Sequence, residues 1–173
     1  MPNRPVLHIF SGLPGSGKTT LARRLCAHVG ACHLRIDTIE QALRDLCGCK
    51  VEGEGYRLAY RIAADNLANG VGVVADSCNP IPLTRAEWNE VADRAGADRV
   101  NIEIRCSDPA EHRARLESRH ADVPGLVPPT WEDVLRREYA PWADGQAVRI
   151  DTASRSADQS FAELLAALGL RES

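Results

Sequence analysis

Eight residues, Gly12-Leu13-Pro14-Gly15-Ser16-Gly17-Lys18-Thr19, fit the pattern GxxxxGK[ST] and leave little freedom in how this part of the chain can fold. The apolar run Val6-Leu7-His8-Ile9-Phe10 precedes them and an amphipathic segment follows, so the chain should pass from strand through glycine-rich loop into helix. Glycines at 12, 15 and 17 let backbone N–H groups turn inward around phosphate oxygens, and a helix opening near Gly17 adds the positive end of its dipole. In that pattern Lys18 reaches the β- and γ-phosphates and the Thr19 hydroxyl reaches a bridging Mg²⁺. Leu13, Pro14, Ser16 and Thr20 complete the expected nucleotide cradle. Only Lys18 and Lys50 are lysines among 21 basic residues, which puts a chance match on the order of one in a thousand.

At 173 residues and 44% hydrophobic content the chain has room for one α/β core and not for two, so residues 1–173 are read as a single domain. Five apolar runs, about 6–11, 32–36, 71–76, 99–106 and 147–151, alternate with helical patterns. Such alternation predicts an α/β fold with a five-stranded, mostly parallel sheet and helices on both faces. Leu21, Leu25 and Val29 recur at spacing four and give the first helix an inward face. Capping patterns mark further helix starts: Thr38 with Gln41, Thr84 with Glu87, and Asp108-Pro109 with Glu111. Thr130 opens a segment from Trp131 to Ala140 that Pro141 ends, and a last helix spans about 157–168 with Phe161, Leu164, Leu165 and Leu168. From Arg119 to Thr130 a connection rich in proline and glycine breaks the helical pattern.

No stretch approaches the ~20 uninterrupted apolar residues of a membrane span, and Met1-Pro2-Asn3-Arg4-Pro5 leads into the first strand without a signal-like segment. The expectation is a cytoplasmic protein with no membrane association, as a monomer or homodimer. Six scattered cysteines read as reduced thiols, and Cys47-Gly48-Cys49 has no second Cys/His pair at zinc-finger spacing. A net charge of −3 gives no global attraction to polyanions, which counts against a nucleic-acid partner.

Phosphoryl transfer needs a group to activate the acceptor, support for the metal, and positive charge over the moving phosphoryl. Asp37 follows the second strand run and should reach the carboxyl edge of the sheet, where open α/β sheets bind ligands, as a general base or as a helix cap beside Thr38. Arg35, two residues earlier, is a substrate contact or a partner that would weaken Asp37 as a base. Asp76 ends the run Val71-Gly72-Val73-Val74-Ala75, the position of a carboxylate holding Mg²⁺ through water. Ser77 and Asn79 either contact substrate or serve a local turn. His112, Arg115 and Arg119 share a helix face, and the two arginines are candidate phosphate clamps, with Glu111 and Glu117 as alternative salt-bridge partners. The acceptor pocket is expected along residues 38–62, with Glu52, Glu54, Tyr56, Arg57 and Arg61 as polar groups.

The glycine loop, Asp37, Asp76-Ser77-Cys78-Asn79 and Arg115-Leu116-Glu117-Ser118-Arg119 together resemble the small ATP-binding P-loop kinases: gluconate kinase, the 5′-end polynucleotide kinases, chloramphenicol phosphotransferase and the zeta toxins. The stretch from Cys106 to Arg113 and Pro129-Thr130-Trp131 is similar to a widespread branch of uncharacterised ATP-binding kinase-like proteins. The resemblance implies a P-loop NTPase fold of the nucleoside-monophosphate-kinase type with a short lid at about 115–130. It implies that Asp37 activates an acceptor hydroxyl, that Arg115 and Arg119 contact ATP phosphates, and that Thr152 and Arg155 border the adenine. Polynucleotide kinases carry an arginine soon after the base, where this chain has Thr38-Ile39-Glu40. The expected activity is ATP- and Mg²⁺-dependent phosphorylation of a small-molecule hydroxyl; the rivals are a slow nucleotide-hydrolysing switch and a polynucleotide 5′-hydroxyl kinase.

Overall fold

The computed structural model describes residues 4–171. Strands β1 (Val6–Ser11), β2 (Cys32–Arg35), β3 (Val73–Asp76), β4 (Asp98–Arg105) and β5 (Val148–Asp151) form one sheet in the order β2-β3-β1-β4-β5. Every pairing in it is parallel. The described helices are α1 (Lys18–Val29), α2 (Ile36–Cys47), α3 (Glu54–Ala68), α4 (Pro82–Ala95), α5 (Pro109–Glu117), α6 (Trp131–Arg136) and α7 (Ala157–Ala167).

Successive side chains of a strand point to opposite faces, and each face meets its own helices. Leu7 and Ile9 of β1 and Val73 and Ala75 of β3 pack on α3 and α4 through Ala63, Leu67 and Trp88. Phe10, Val74, Ile102 and Ile150 pack on α1 and α7 through Leu21, Leu25, Leu164 and Leu165. Burial on both sides explains why β3 has no exposed position. The expected architecture of five parallel strands between two helical layers is therefore present.

Three local expectations need correction. Thr38 caps nothing, because β2 runs directly into α2 at Ile36 and the extended residue Arg35 occupies the N-cap without a side-chain bond. At α4 the cap is Ile81 with Pro82 at the first helical position, and the Thr84 hydroxyl donates to the Ile81 carbonyl at 3.0 Å from inside the first turn. The segment opened by Thr130 stops at Arg136, short of Pro141. Beyond it the Ala140 N–H donates to the Pro80 carbonyl at 2.8 Å, a pairing that requires the chain to leave the helix. Asp108 does cap α5, accepting from the N–H groups of Ala110 and Glu111. The α3 helix is an addition. Its signal was the spacing of Ala59, Ala63 and Leu67; the two small alanines let the helix lie close to the sheet while Leu67 fills the core.

One buried base in the sheet makes stability depend on pH. His8 of β1 is 7% exposed, its Nδ1 has no hydrogen-bond partner, and burial pushes its pKa below the ordinary value in spite of a bond to the Val73 backbone. The unfolded chain takes up a proton near pH 6.5 and the folded chain resists it, so stability is greatest above that pH and falls as the pH drops toward the lowered folded value. A His8→Leu variant should show a flatter dependence of Tm on pH below about 6.5 than the parent. Parallel pH curves for the two proteins would remove His8 as the cause.

Candidate active site

Parallel strands bring their carboxyl ends to one edge of the sheet. Gly12 after β1, Asp37 after β2, Ser77 after β3, Cys106 after β4 and Thr152 after β5 all emerge there. Because β1 sits between β3 and β4, the loop leaving it is flanked on both sides; the Gly12 N–H donates to the Cys78 carbonyl at 3.1 Å.

That loop is held open by its backbone. Gly12, Gly15 and Gly17 have φ of 136°, 83° and 98°, a region that disfavours side chains. Gly17 caps α1, so the unpaired N–H groups of the first turn face the loop. From behind, the His112 Nε2 lies 2.7 Å from the Pro14 carbonyl, and its ring meets Trp131 edge to face at 5.2 Å between centroids. His112 is thus a buried strut under the loop.

Two cavities flank the loop. The first, about 490 Å³, lies along α1, α5 and the turn after β5, and includes Thr20, Arg23, Arg115, Thr152 and Arg155. The second, about 480 Å³, includes Asp37, Asp76, Ser77, Glu40 and Arg137. Lys18, Thr19 and Arg119 line both. Lys18 is itself 8% exposed, with its Nζ donating to the Leu13 carbonyl at 3.1 Å.

Asp76 is 3% exposed, and its Oδ2 is a buried oxygen without a hydrogen-bond partner. Burial alone would raise its pKa, but His33, with Nε2 at 3.5 Å, the Lys18 ammonium and the Thr19 hydroxyl together hold it below the ordinary carboxylate range. An orphaned carboxylate oxygen beside a threonine hydroxyl is an all-oxygen donor set suited to a hard divalent cation. Among the described residues no three His, Cys, Asp or Glu side chains gather around a metal position, so an ion here would take most of its shell from phosphate and water.

Several candidate residues have other occupations. Arg35 is buried and gives the Asp122 carboxylate two bonds of 2.9 Å, with Asp37 more distant at 3.7 Å; it ties down the lid and does not line either cavity. Tyr56 lies behind the second cavity, where its hydroxyl accepts the Asn79 N–H at 3.0 Å. Asn79 is fully buried, and neither it nor Tyr56 is among the residues that line the cavity. Arg115 belongs to α5 rather than the lid, and its donors go to Glu111 and to the Thr152 hydroxyl and carbonyl. Arg155 pairs with Glu163 at the rim of the first cavity. No residue of 45–62 lines the second cavity: Glu54 instead accepts the N–H groups of Glu52 and Gly53 at the start of α3. The wall comes from α2, where Glu40, Gln41 and Arg44 follow Asp37 at spacings of three, four and seven. That periodicity was readable in the sequence.

The loop after Glu117, where a lid is expected, is docked on the rest of the fold. Besides Arg35, Asp122 takes a bond from Arg23 at 2.6 Å and lies 3.6 Å from Arg119. Facing this many cations, chiefly the hydrogen-bonded Arg35, its carboxyl is held well below the usual range. At Gly125 an added Cβ would come within 3.0 Å of Gln41, which shows how closely the lid lies on α2.

Among the described residues no helix is long and apolar enough to cross a membrane. The model of the AAA domain family matches residues 7–140. An uncharacterised protein of Mycobacterium tuberculosis is 31% identical over 179 aligned residues, covering 90% of this chain and 34% of that protein, so the chain spans about a third of that relative's length. In three dimensions it is similar to a gluconokinase from Sinorhizobium meliloti, with a TM-score of 0.68 at 17% identity over 96% of this chain and 93% of that one. It is likewise similar to the M. tuberculosis APS kinase CysC solved with AMPPNP and APS, with a TM-score of 0.67 at 21% identity over 97% and 99%. With its family model spanning most of the sheet and nearly all of its length aligning with the backbones of such enzymes, the chain belongs to the AAA domain family and has the fold of the P-loop kinases.

Proposed function

We propose that the protein is an ATP-dependent phosphotransferase that phosphorylates a hydroxyl of a small molecule. One observation carries this reading: two cavities of similar size meet at Lys18, Thr19 and Arg119, the place where a γ-phosphate would pass from one ligand to the other. A pure nucleotide switch has no use for the second.

In this reading the first cavity holds the nucleotide, with its phosphates against the loop N–H groups and Lys18 and its base toward Thr152 and Arg155. Asp76 and Thr19 would hold Mg²⁺, which supplies charge neutralisation across the β- and γ-phosphates. The second cavity holds the acceptor with its hydroxyl at Asp37. The acceptor oxygen bonds to the γ-phosphorus as its proton passes to the Asp37 carboxylate, the bond from that phosphorus to the bridging oxygen breaks, and ADP leaves with the electron pair. Lys18 and Arg119 face the transferring group from both cavities and oppose its charge.

The test is ADP formation across a panel of polyols, sugar acids, nucleosides and a 5′-hydroxyl oligonucleotide. Acceptor-stimulated turnover that Lys18→Ala lowers by about a hundredfold or more is the expected result. Slow hydrolysis that no acceptor accelerates would sink the proposal and favour a switch.

A further inference from the structure

The second cavity also bears on what the acceptor carries besides its hydroxyl. Its lining includes the cations Lys18, Arg44, Arg119 and Arg137 and the anions Asp37, Glu40 and Asp76. Most of these have an assigned counter-charge. Arg44 pairs with Glu40 at 3.2 Å, Arg119 lies by Asp122, and Lys18 lies by Asp76. Arg137 is held more loosely: Glu40 and Asp133 act on it only through longer-range charge, among the described residues no carboxylate lies within 4.0 Å of it, and its Nη1 rests 3.4 Å from the Cys78 thiol.

A neutral thiol is a weak hydrogen-bond acceptor, while a guanidinium presents a planar fork suited to two oxygens of one anion. The fork is also well based. Behind Arg137 stands the capping box of α6, made by Thr130 and Asp133. Ahead of it Ala140 is fastened to Pro80 through its N–H and to Arg85 through its carbonyl, at 2.8 and 2.5 Å. Arg85 in turn stacks on Trp142 at 4.1 Å from the ring centroid. The backbone that presents Arg137 is therefore fixed on both sides, and the guanidinium lines the cavity hydrogen-bonded to a thiol, with no carboxylate close enough to occupy its fork.

We infer that the acceptor is an oxyanion-bearing hydroxyl compound, its carboxylate, sulfate or phosphate taken by Arg137 while its hydroxyl lies at Asp37. This inference rests on the phosphotransferase reading and narrows it. A polyanionic strand is not required, since one guanidinium answers one anionic group and the cavity volume is that of a small molecule.

Matched acceptors test it: glycerol against glycerate and glycerol phosphate, and ribose against ribose phosphate. The anionic members should exceed their neutral partners by about tenfold or more in kcat/KM, and the carboxylate and phosphate arms tell which oxyanion is meant. Arg137→Gln should raise the KM of the preferred anionic acceptor by about tenfold or more, with the loss falling on the acceptor and not on the KM for ATP. Arg137→Lys, which keeps the charge and loses the fork, should fall between. A melting curve on each variant separates a binding loss from unfolding. Preference for the neutral members, or an Arg137→Gln enzyme with an unchanged KM for the anionic acceptor, would overturn the inference while leaving a phosphotransferase in place. If no hydroxyl compound in either class is phosphorylated, both readings fall together.

Discussion

Asp37→Asn should lower kcat for acceptor phosphorylation by about 10²- to 10⁴-fold, the usual contribution of a positioned general base. Asparagine has the shape of aspartate and can still hydrogen-bond an acceptor hydroxyl, but it cannot take its proton. The fold gives no reason for collateral damage. Asp37 is half exposed, its link to Arg35 is a distant 3.7 Å, and Arg35 keeps both of its bonds to Asp122. The melting temperature and the affinity for a non-hydrolysable ATP analogue should therefore stay near those of the parent. Steady-state ADP formation with a saturating acceptor is the measurement, and a decrease of less than about tenfold would deprive Asp37 of the base role.

Gly12→Ala should be the most damaging single-methyl change in the loop. A Cβ at this position would lie 2.1 Å from the Ile104 carbonyl oxygen, a backbone atom of β4, on a residue whose φ is 136°. Neither side can yield, because Ile104 is fully buried and β4 is registered against both β1 and β5. Backbone strain and steric overlap each cost about 1–3 kcal/mol, so Tm should fall on the order of 10 °C for a domain of this size. Any shift of the loop that eases the overlap would strain the Gly12 bond to Cys78, and titration calorimetry should then show nucleotide binding weakened by at least about a hundredfold. Gly30→Ala is the contrasting case. It has φ of 65° but nothing within 4 Å of the added carbon, so it should lose only about 1 kcal/mol of stability and bind nucleotide normally. Equal behaviour of the two variants would show that the contact with β4 does not govern the loop.

What could be read from the chain itself depended on how local the cause was. The run near 6–11 announced β1 because burial on both faces of a parallel strand demands nearly continuous apolar residues, and β4 near 99–106 showed through the alternation of Val100, Ile102 and Ile104 with polar residues. The glycine loop was legible because its conformation is written in residue types that few other structures need. The roles of Arg35 and Tyr56 were not legible. One is set by Asp122, 87 residues away, and the other by the Asn79 backbone, 23 residues away; no periodicity encodes such meetings. Thr38 and Thr84 illustrate a different failure, since each has the spacing of a cap but the helix begins two or more residues earlier. Glu40, Gln41 and Arg44 were readable from Asp37 by helical spacing, whereas the contact of Arg137 with Cys78 spans 59 residues and needed the fold.

The docking of Asp122 has a consequence for how a ligand would enter. Arg23 and Arg119, which line the first cavity, and the buried Arg35 already share one carboxylate, so on the proposed reading an incoming polyphosphate would meet cations that carry an internal counterion. Binding is then an exchange of one anion for another, and its free energy is the difference between two sets of contacts rather than the sum of one. On the same reading the exchange would run in reverse on departure, the carboxylate returning to its arginines.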